Sequence, residues 1–282
     1  MENDTLYPIH FANGRLLQEV DRICKLKNIR YFMWAGTLLG AVRHGDFIPW
    51  DDDVDIIFDR IEYERFLAVA PDMLNDDFEL VHPCENNTFF DMICKINYKE
   101  SRLRIPTEED DFYCGRHNRV SLDLFVLDDF CAGFKSKLME MRLKMLYGNA
   151  MAYRYSIKQS EYSLAEKLSV MLLTGVGRLS TLNRIYDKYK KVSKACKKKS
   201  NKYIISNDRL PVLYRRYNKE WFDGVVRLRV GEYEYNAPSG YKEILEYIYG
   251  EYMKYPPIEL QKPAHAERLS EVEVFDKGKL VR

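Results

Sequence analysis

No apolar run in this 282-residue sequence approaches the roughly 20 residues that a membrane-spanning helix needs. The N-terminus has no basic-then-apolar leader, and the six cysteines, at positions 24, 84, 94, 114, 131 and 196, form no close Cys-x-x-Cys pair. Those absences point to a soluble or membrane-peripheral protein of the cytoplasm with reduced thiols. His82 with Cys84, and Cys114 with His117, could in principle make a zinc site, but the separations are loose and ordinary packing or surface roles are the expected reading. An excess of one charge is lacking too. Lys and Arg number 44 against 43 Asp and Glu, so the net +1 gives no global pull toward nucleic acid or membrane, and any charged partner must meet a local patch. With 46% hydrophobic residues the chain can bury one large core, and we expect a single domain over 1–282 carrying an insertion.

The local concentration of acid lies in residues 34–58, WAGTLLGAVRHGDFIPWDDDVDIIF. From Asp53 the pattern starts as polar-apolar alternation, the period of a strand, which aims Asp53 and Asp55 to one side and Val54, Ile56 and Phe58 to the other. Two carboxylates about 4 Å apart repel by about 1 kcal/mol in water and about 4 kcal/mol near a protein surface, so the pair needs a proton or a cation. Mg²⁺ suits an Asp-x-Asp on a strand, because it takes one or two carboxylates and completes its shell with water and phosphate oxygens. Upstream, Tyr31 to Ala35 reads as a short strand ending in a Gly36-Thr37 turn, whose amides and hydroxyl can cradle a phosphate. Leu38 to Val42 continues as a short helical run carrying Arg43, a forked donor suited to phosphate.

The remaining segments read as support. Residues 15–28 place Leu16, Val20, Ile23 and Cys24 at helical spacing, and Asp59 can cap a helix from Arg60, with Glu62 as its reciprocal partner and Pro71 weakening it. FELVH and FFDMICKINY within 78–98 are strand-like, with Pro83 and Asn86-Asn87 as turn chemistry between them; Lys95 interrupts the second, reaching either solvent or a phosphate. Residues 99–119 are a polar excursion of the kind that closes over substrates. In VSLDLFVLDDF a lone Asp123 sits among alternating apolar residues, where an unpaired carboxylate is expensive to bury, so it reads as a third site carboxylate, while Asp128 and Asp129 read as solvated. From 135 to 199 the period turns helical, three helices with Leu, Met and Tyr stripes read as core, and eight lysines with no acid follow from Lys188 to Lys202. Strand character returns at 203–206 and 221–235, and Pro238-Ser239-Gly240 opens a last helix ended by Gly250.

GTLLG-AVRHGDFIPWDDDVDI resembles, almost letter for letter, the signature of the LicD family of phosphotransferases within the nucleotidyltransferase-fold superfamily; fukutin-related proteins carry a looser version. APSGYKEILEYIYGEYMKYPP is similar to the family's C-terminal part, so the likeness covers about residues 15 to 260. The resemblance implies an α+β fold, a nucleotidyltransferase-like mixed sheet with flanking helices and a helical insertion at about 135–200. It implies transfer of phosphocholine or a related phospho-alcohol from a CDP-activated donor to a hydroxyl of a cell-surface glycan such as lipopolysaccharide, teichoic acid or capsule, with release of CMP. On that reading Asp53, Asp55 and Asp123 form a catalytic triad that binds Mg²⁺, or Mn²⁺ in its place, and Gly36, Thr37, Arg43, Asp51 and Lys95 face the substrate. No nucleic-acid partner is expected, and Lys188 to Lys202 offers peripheral contact with the inner membrane face. Two rival readings keep the scaffold: nucleotidyl transfer from a nucleoside triphosphate, and a non-catalytic glycan-binding protein.

Overall fold

Pro8 in the first turn and apolar residues at three- and four-residue steps start a helix well before residue 15. Helix α1 (Tyr7–Lys27) buries Ile9, Leu16, Leu17, Val20 and Ile23, and it ends where Asn28 adopts φ 49°, a left-handed conformation that asparagine tolerates. The computed structural model describes residues 6–131, 133–157, 162–196 and 200–282. After α1 come β1 (Phe32–Met33), α2 (Ala35–Arg43), β2 (Val54–Asp59), α3 (Arg60–Met73), β3 (Phe78–Val81), β4 (Cys94–Tyr98), β5 (Ser101–Arg102), α4 (Glu108–Phe112) and β6 (Ser121–Asp129). Three helices follow, α5 (Phe134–Ala150), α6 (Leu164–Gly177) and α7 (Leu182–Ser193). The chain closes with β7 (Lys202–Ile205), β8 (Tyr217–Asn218), β9 (Val225–Val230), β10 (Tyr233–Pro238), α8 (Tyr241–Tyr249), β11 (Glu273–Asp276) and β12 (Lys279–Leu280). Helices and a mixed sheet in one chain agree with the α+β expectation.

The chain forms two units. The first takes the sequence up to Val81, Cys94–Val126 and Lys219–Arg282, and holds strands in the order β1-β2-β6-β4-β3. Met33 lies opposite Ile56 and Phe32 opposite Ile57, while β4 pairs antiparallel with β6 so that Lys95 faces Asp123. Strand β2 is buried along nearly its whole length, with Val54, Ile56, Ile57 and Phe58 all inside, so it is a central strand rather than a half-exposed one. At its end Asp59 caps α3 by accepting from the amides of Ile61 and Glu62. That helix runs through Pro71 to Met73 before it stops. The hairpin of β9 and β10 turns at Gly231, φ 60°, whose amide donates to the Gly45 carbonyl at 3.0 Å. The C-terminal strand β11 pairs with β5, which makes the polar excursion 99–119 part of a small sheet, β12-β11-β5.

The second unit takes His82–Ile93 and Leu127–Asn218, and the expected insertion at 135–200 falls within it. Strands β3 and β4 pair antiparallel, Phe78 opposite Tyr98 and Val81 opposite Lys95, as a hairpin reading expects, but the segment joining them, expected as a hairpin turn or short loop, is a longer stretch, His82–Ile93, that belongs to this unit. Phe89, Met92, Leu143, Leu182, Ile185 and Tyr189 belong to its core. Three sequence expectations fail here. Asp128 is buried, pairs in register with Ile204 and accepts from the Ser206 hydroxyl at 2.5 Å, so its solvation is replaced by a hydrogen bond. Cys131 and Cys196 form a disulfide, where reduced thiols were expected. Leu164, Leu168, Met171 and Leu172, expected as core, are exposed. Of the lysine-rich segment 188–202, residues 197–199 lie outside the described residues.

Candidate active site

The acidic site in the first unit is built where α2 meets β2. The Trp34 amide donates to the Asp55 carbonyl at 3.0 Å, and the Asp55 amide donates to Thr37 Oγ1 at 2.8 Å, so both backbone groups of Asp55 are fixed by the first turn of α2. Gly36 and Thr37 therefore lie inside a helix that begins at Ala35, where a strand-ending turn was expected. Ala35 has φ 43°, a left-handed backbone that costs a residue with a Cβ on the order of 1–2 kcal/mol. Thr37 is buried, and its oxygen is used as an acceptor by the β2 backbone. Gly36 has a different purpose. A Cβ there would fall well inside van der Waals contact with Asp51 Oδ2 and 3.2 Å from Asp51 Cγ, so the glycine admits the carboxylate against the helix's first turn. That end of a helix, with its unshared amides, favours an anion.

Asp51 is held by its own backbone as well. His10 Nε2–H, reaching from α1, donates to the Asp51 carbonyl at 2.8 Å, while the His10 ring stacks on Phe47 at 5.5 Å between centroids. The Asp51 and Asp53 carboxyls hydrogen-bond each other. Burial, the charge and hydrogen bond of Asp53, and the charge of Asp52 push the Asp51 carboxyl up from its ordinary 3.8 to about 8. Burial also raises Asp53, reinforced by the charges of Asp123 and Asp52. Asp55, buried, is raised well above its ordinary value by burial and then by Asp53, Asp123 and Asp51, with Lys95 opposing. Lys95 Nζ lies 2.7 Å from Asp123 Oδ1. The lysine that interrupts its strand thus points at the third acid of the cluster.

Two residues from the C-terminal tail complete the surroundings. Asp52 accepts from the Ala264 amide at 2.9 Å and stands 3.2 Å from His265 Nδ1. Burial alone would raise Asp52, but these bonds outweigh it and hold the carboxyl below its ordinary value; in return the Asp52 hydrogen bond raises His265. The imidazolium also partly offsets the charge at Asp53. Neither His10 nor His265 carries a local motif, and each reaches the site only through the fold, which is why the sequence did not nominate them. Arg43 stands at the other end of α2. Its guanidinium lies over the Tyr255 ring at 4.9 Å and the Trp50 ring at 5.7 Å, and donates to the Tyr252 carbonyl at 3.3 Å. Burial lowers its pKa, and Asp51 is among the charges that sustain the cation. Most of the Arg43 fork is thus engaged by aromatic rings and backbone, within electrostatic reach of the acidic cluster.

Among the described residues no three His, Cys, Asp or Glu side chains stand in a ready metal-holding arrangement. The donor set nevertheless fits a hard divalent cation in kind: it is all carboxylate oxygen, and its mutual repulsion is what such an ion relieves. The pH dependence follows directly: Asp51 binds its proton more tightly folded than unfolded, so its stabilising effect is complete below pH 3.8 and is lost as pH rises toward about 8. With divalent ions chelated, chemical denaturation between pH 5 and pH 8 is expected to give a falling unfolding free energy. Asp51→Asn should flatten that slope, and an unchanged slope would refute the assignment.

The chain resembles several known proteins over this region. Residues 28–112 match the family model for the LicD/FKTN/FKRP nucleotidyltransferase domain. Over 263 residues, 89% of this chain and 92% of the relative, the sequence is 27% identical to the lipopolysaccharide cholinephosphotransferase LicD of Haemophilus influenzae. A 46-residue stretch, 15% of this chain and 9% of the relative, is 48% identical to the ribitol 5-phosphate transferase FKRP of Homo sapiens. A further 68 residues are 34% identical to an uncharacterized protein of Rickettsia typhi, covering 24% of this chain and 22% of that one.

Proposed function

We propose, from the premise that this is a LicD-family protein through residues 28–112, that it transfers phosphocholine or a closely related phospho-alcohol from a CDP-activated donor to a hydroxyl of a cell-surface glycan. The observation that carries the reading is the cluster of Asp51, Asp53, Asp55 and Asp123, in which burial and mutual repulsion raise the carboxyls of Asp51, Asp53 and Asp55 above their ordinary values and Lys95 sits on Asp123. A protein keeps so costly a set of buried acids where a cation and a phosphate are to be bound. We read the sheet that carries them as nucleotidyltransferase-like.

In this reading Asp53, Asp55 and Asp123 hold Mg²⁺ or Mn²⁺, which when bound supplies the positive charge that neutralises a pyrophosphate and its departing CMP. The chain's own groups do the rest. Lys95, exchanged from Asp123, meets a non-bridging phosphate oxygen, and the first turn of α2 offers its amides beside Asp51. The acceptor hydroxyl attacks phosphorus and gives its proton to Asp123, the carboxylate we assign to receive it. His265 orients Asp52 and tempers the charge at Asp53. Arg43 acts mainly as a positioning residue, tying the aromatic rings of Trp50 and Tyr255 to the end of α2.

The short, strong similarity to a ribitol 5-phosphate transferase favours a second donor alcohol. The test is CMP release from CDP-choline, CDP-ethanolamine, CDP-glycerol and CDP-ribitol, each with Mg²⁺ or with EDTA, and with a crude cell-surface glycan supplied. Metal-dependent release from one donor, abolished by EDTA, is the expected result. Absence of CMP from every donor, with pyrophosphate released from a nucleoside triphosphate instead, would replace this reading with nucleotidyl transfer.

A further inference from the structure

The second unit carries a surface that its sequence does not resolve into core and solvent faces. Helix α6 is apolar nearly all round, and such a helix is normally enclosed. Here Gly177 is the residue it buries, while Leu164, Leu168, Met171 and Leu172 are 80%, 62%, 64% and 68% exposed, and Leu179 just beyond is 87% exposed. Helix α5 packs against it, with Leu173 closing over Gly148, and has its own outward stripe: Phe134, Leu138, Met141 and Met145. These fall at i, i+4, i+7 and i+11, one helical face. Exposed Lys135, Lys137, Arg142 and Lys144 are interleaved with them.

Charge across the unit tells the same story on a larger scale. Residues 82–93 and 127–218 hold 20 Lys and Arg against 9 Asp and Glu, a formal +11. The rest of the chain holds 24 against 34, a formal −10, so the whole-chain +1 conceals two strongly charged halves. A nucleic acid would match the charge and leave the leucines in water. A second copy of the chain would cover the leucines and bring two +11 surfaces together. An anionic bilayer offers acyl chains at the depth of the leucines and phosphates at the height of the lysines.

We propose that α5 and α6 form a membrane-docking face that lies on an anionic lipid bilayer, apolar stripes toward the acyl boundary and the interleaved lysines on headgroup phosphates. At 14 residues α6 is about 21 Å long, too short to span and suited to lie in the plane. The face itself is built by α5 and α6, although eight of the unit's 20 basic residues lie in the segment 188–202, and the proposal rests on no assignment of donor or acceptor.

Flotation of the full chain with vesicles of phosphatidylcholine alone, or of equimolar phosphatidylcholine and phosphatidylglycerol, tests it. Binding to the mixed vesicles that weakens with salt is expected. Leu168→Gln/Leu172→Gln should lower partitioning by about tenfold or more, and Lys135→Gln/Lys137→Gln/Lys144→Gln by about fivefold per lysine. All five residues are exposed, so circular dichroism and the thermal midpoint should match wild type. Wild type that stays unbound with both vesicles, or variants that float as well as wild type, would overturn the proposal. So would a wild-type dimer split by the leucine pair without vesicle binding, or retention abolished by nuclease. Because the assay needs no turnover, its failure is distinct from failure of the transferase reading.

Discussion

Asp53→Asn is expected to lower CMP release by about 10³-fold or more, a loss on the order of 4 kcal/mol in transition-state stabilisation, and to leave the fold slightly more stable. The two effects have one cause. Asp53 is entangled with its neighbours: it bonds Asp51, and it feels the charges of Asp123, Asp52 and His265. Asparagine keeps the size and can still hydrogen-bond Asp51, so packing survives, while removing one of several like charges relieves about 1 kcal/mol or more of repulsion. The same removal deletes a hard oxygen ligand. Turnover in Mg²⁺ and denaturant midpoints, measured on one preparation, check both. A variant that kept wild-type turnover would remove Asp53 from the reaction and return the non-catalytic glycan-binding reading to the front.

Gly36→Ala is expected to cut kcat/KM by about 100-fold with little change in helix content. By propensity alone the substitution helps α2 by about 1 kcal/mol, so a purely structural glycine would be improved by it. In this site the new methyl takes the space of Asp51 Oδ2. Asp51 is short, pinned through its backbone by His10 and bonded through its side chain to Asp53, so it cannot swing away without disturbing Asp53. A misplacement of about 1 Å at a reacting centre is worth about 10²-fold. The control is a cycle with Asp51→Ala: if the methyl acts through Asp51, Gly36→Ala adds little in that background. Full additivity of the two changes would show that the glycine serves something other than the carboxylate.

How far these residues could be read beforehand depends on the range over which their signals act. Asp53 and Asp55 stood out because alternation aims two repelling carboxylates to one side, and Asp123 because a carboxylate within an apolar strand pattern has no inexpensive explanation; both signals are local. Lys95 stood out for the same reason, with its direction undecided until the β4–β6 register placed it opposite Asp123. Asp59 as the cap of α3 was legible from its neighbours alone. The start of α2 was not: Gly36 and Thr37 look like turn residues, and only their contacts with Asp51 and Asp55 explain why they sit in a helix. Asp128 looked solvated because its partner, Ser206, is 78 residues away in sequence. The exposed leucines of α6 failed differently. Helical periodicity predicts a face, but when every face is apolar it gives no direction, and burial is then decided by what the helix packs against.

The first unit is assembled from three separated stretches of chain, and this bears on how the protein comes to exist. Asp52 and His265 are 213 residues apart, and β5 waits for β11 near the other end of the sequence. Contacts of such long range slow folding, because loop closure must precede any gain from them. On a translating ribosome the second unit's long stretch, Leu127–Asn218, emerges whole before the tail that completes the first. Until residue 265 is released, the acids of 51–55 have protons, solvent ions and Lys95 for company but not their histidine. The nascent chain therefore passes through a stage in which its basic, apolar half can be formed while its acidic half, begun earlier, is still unfinished.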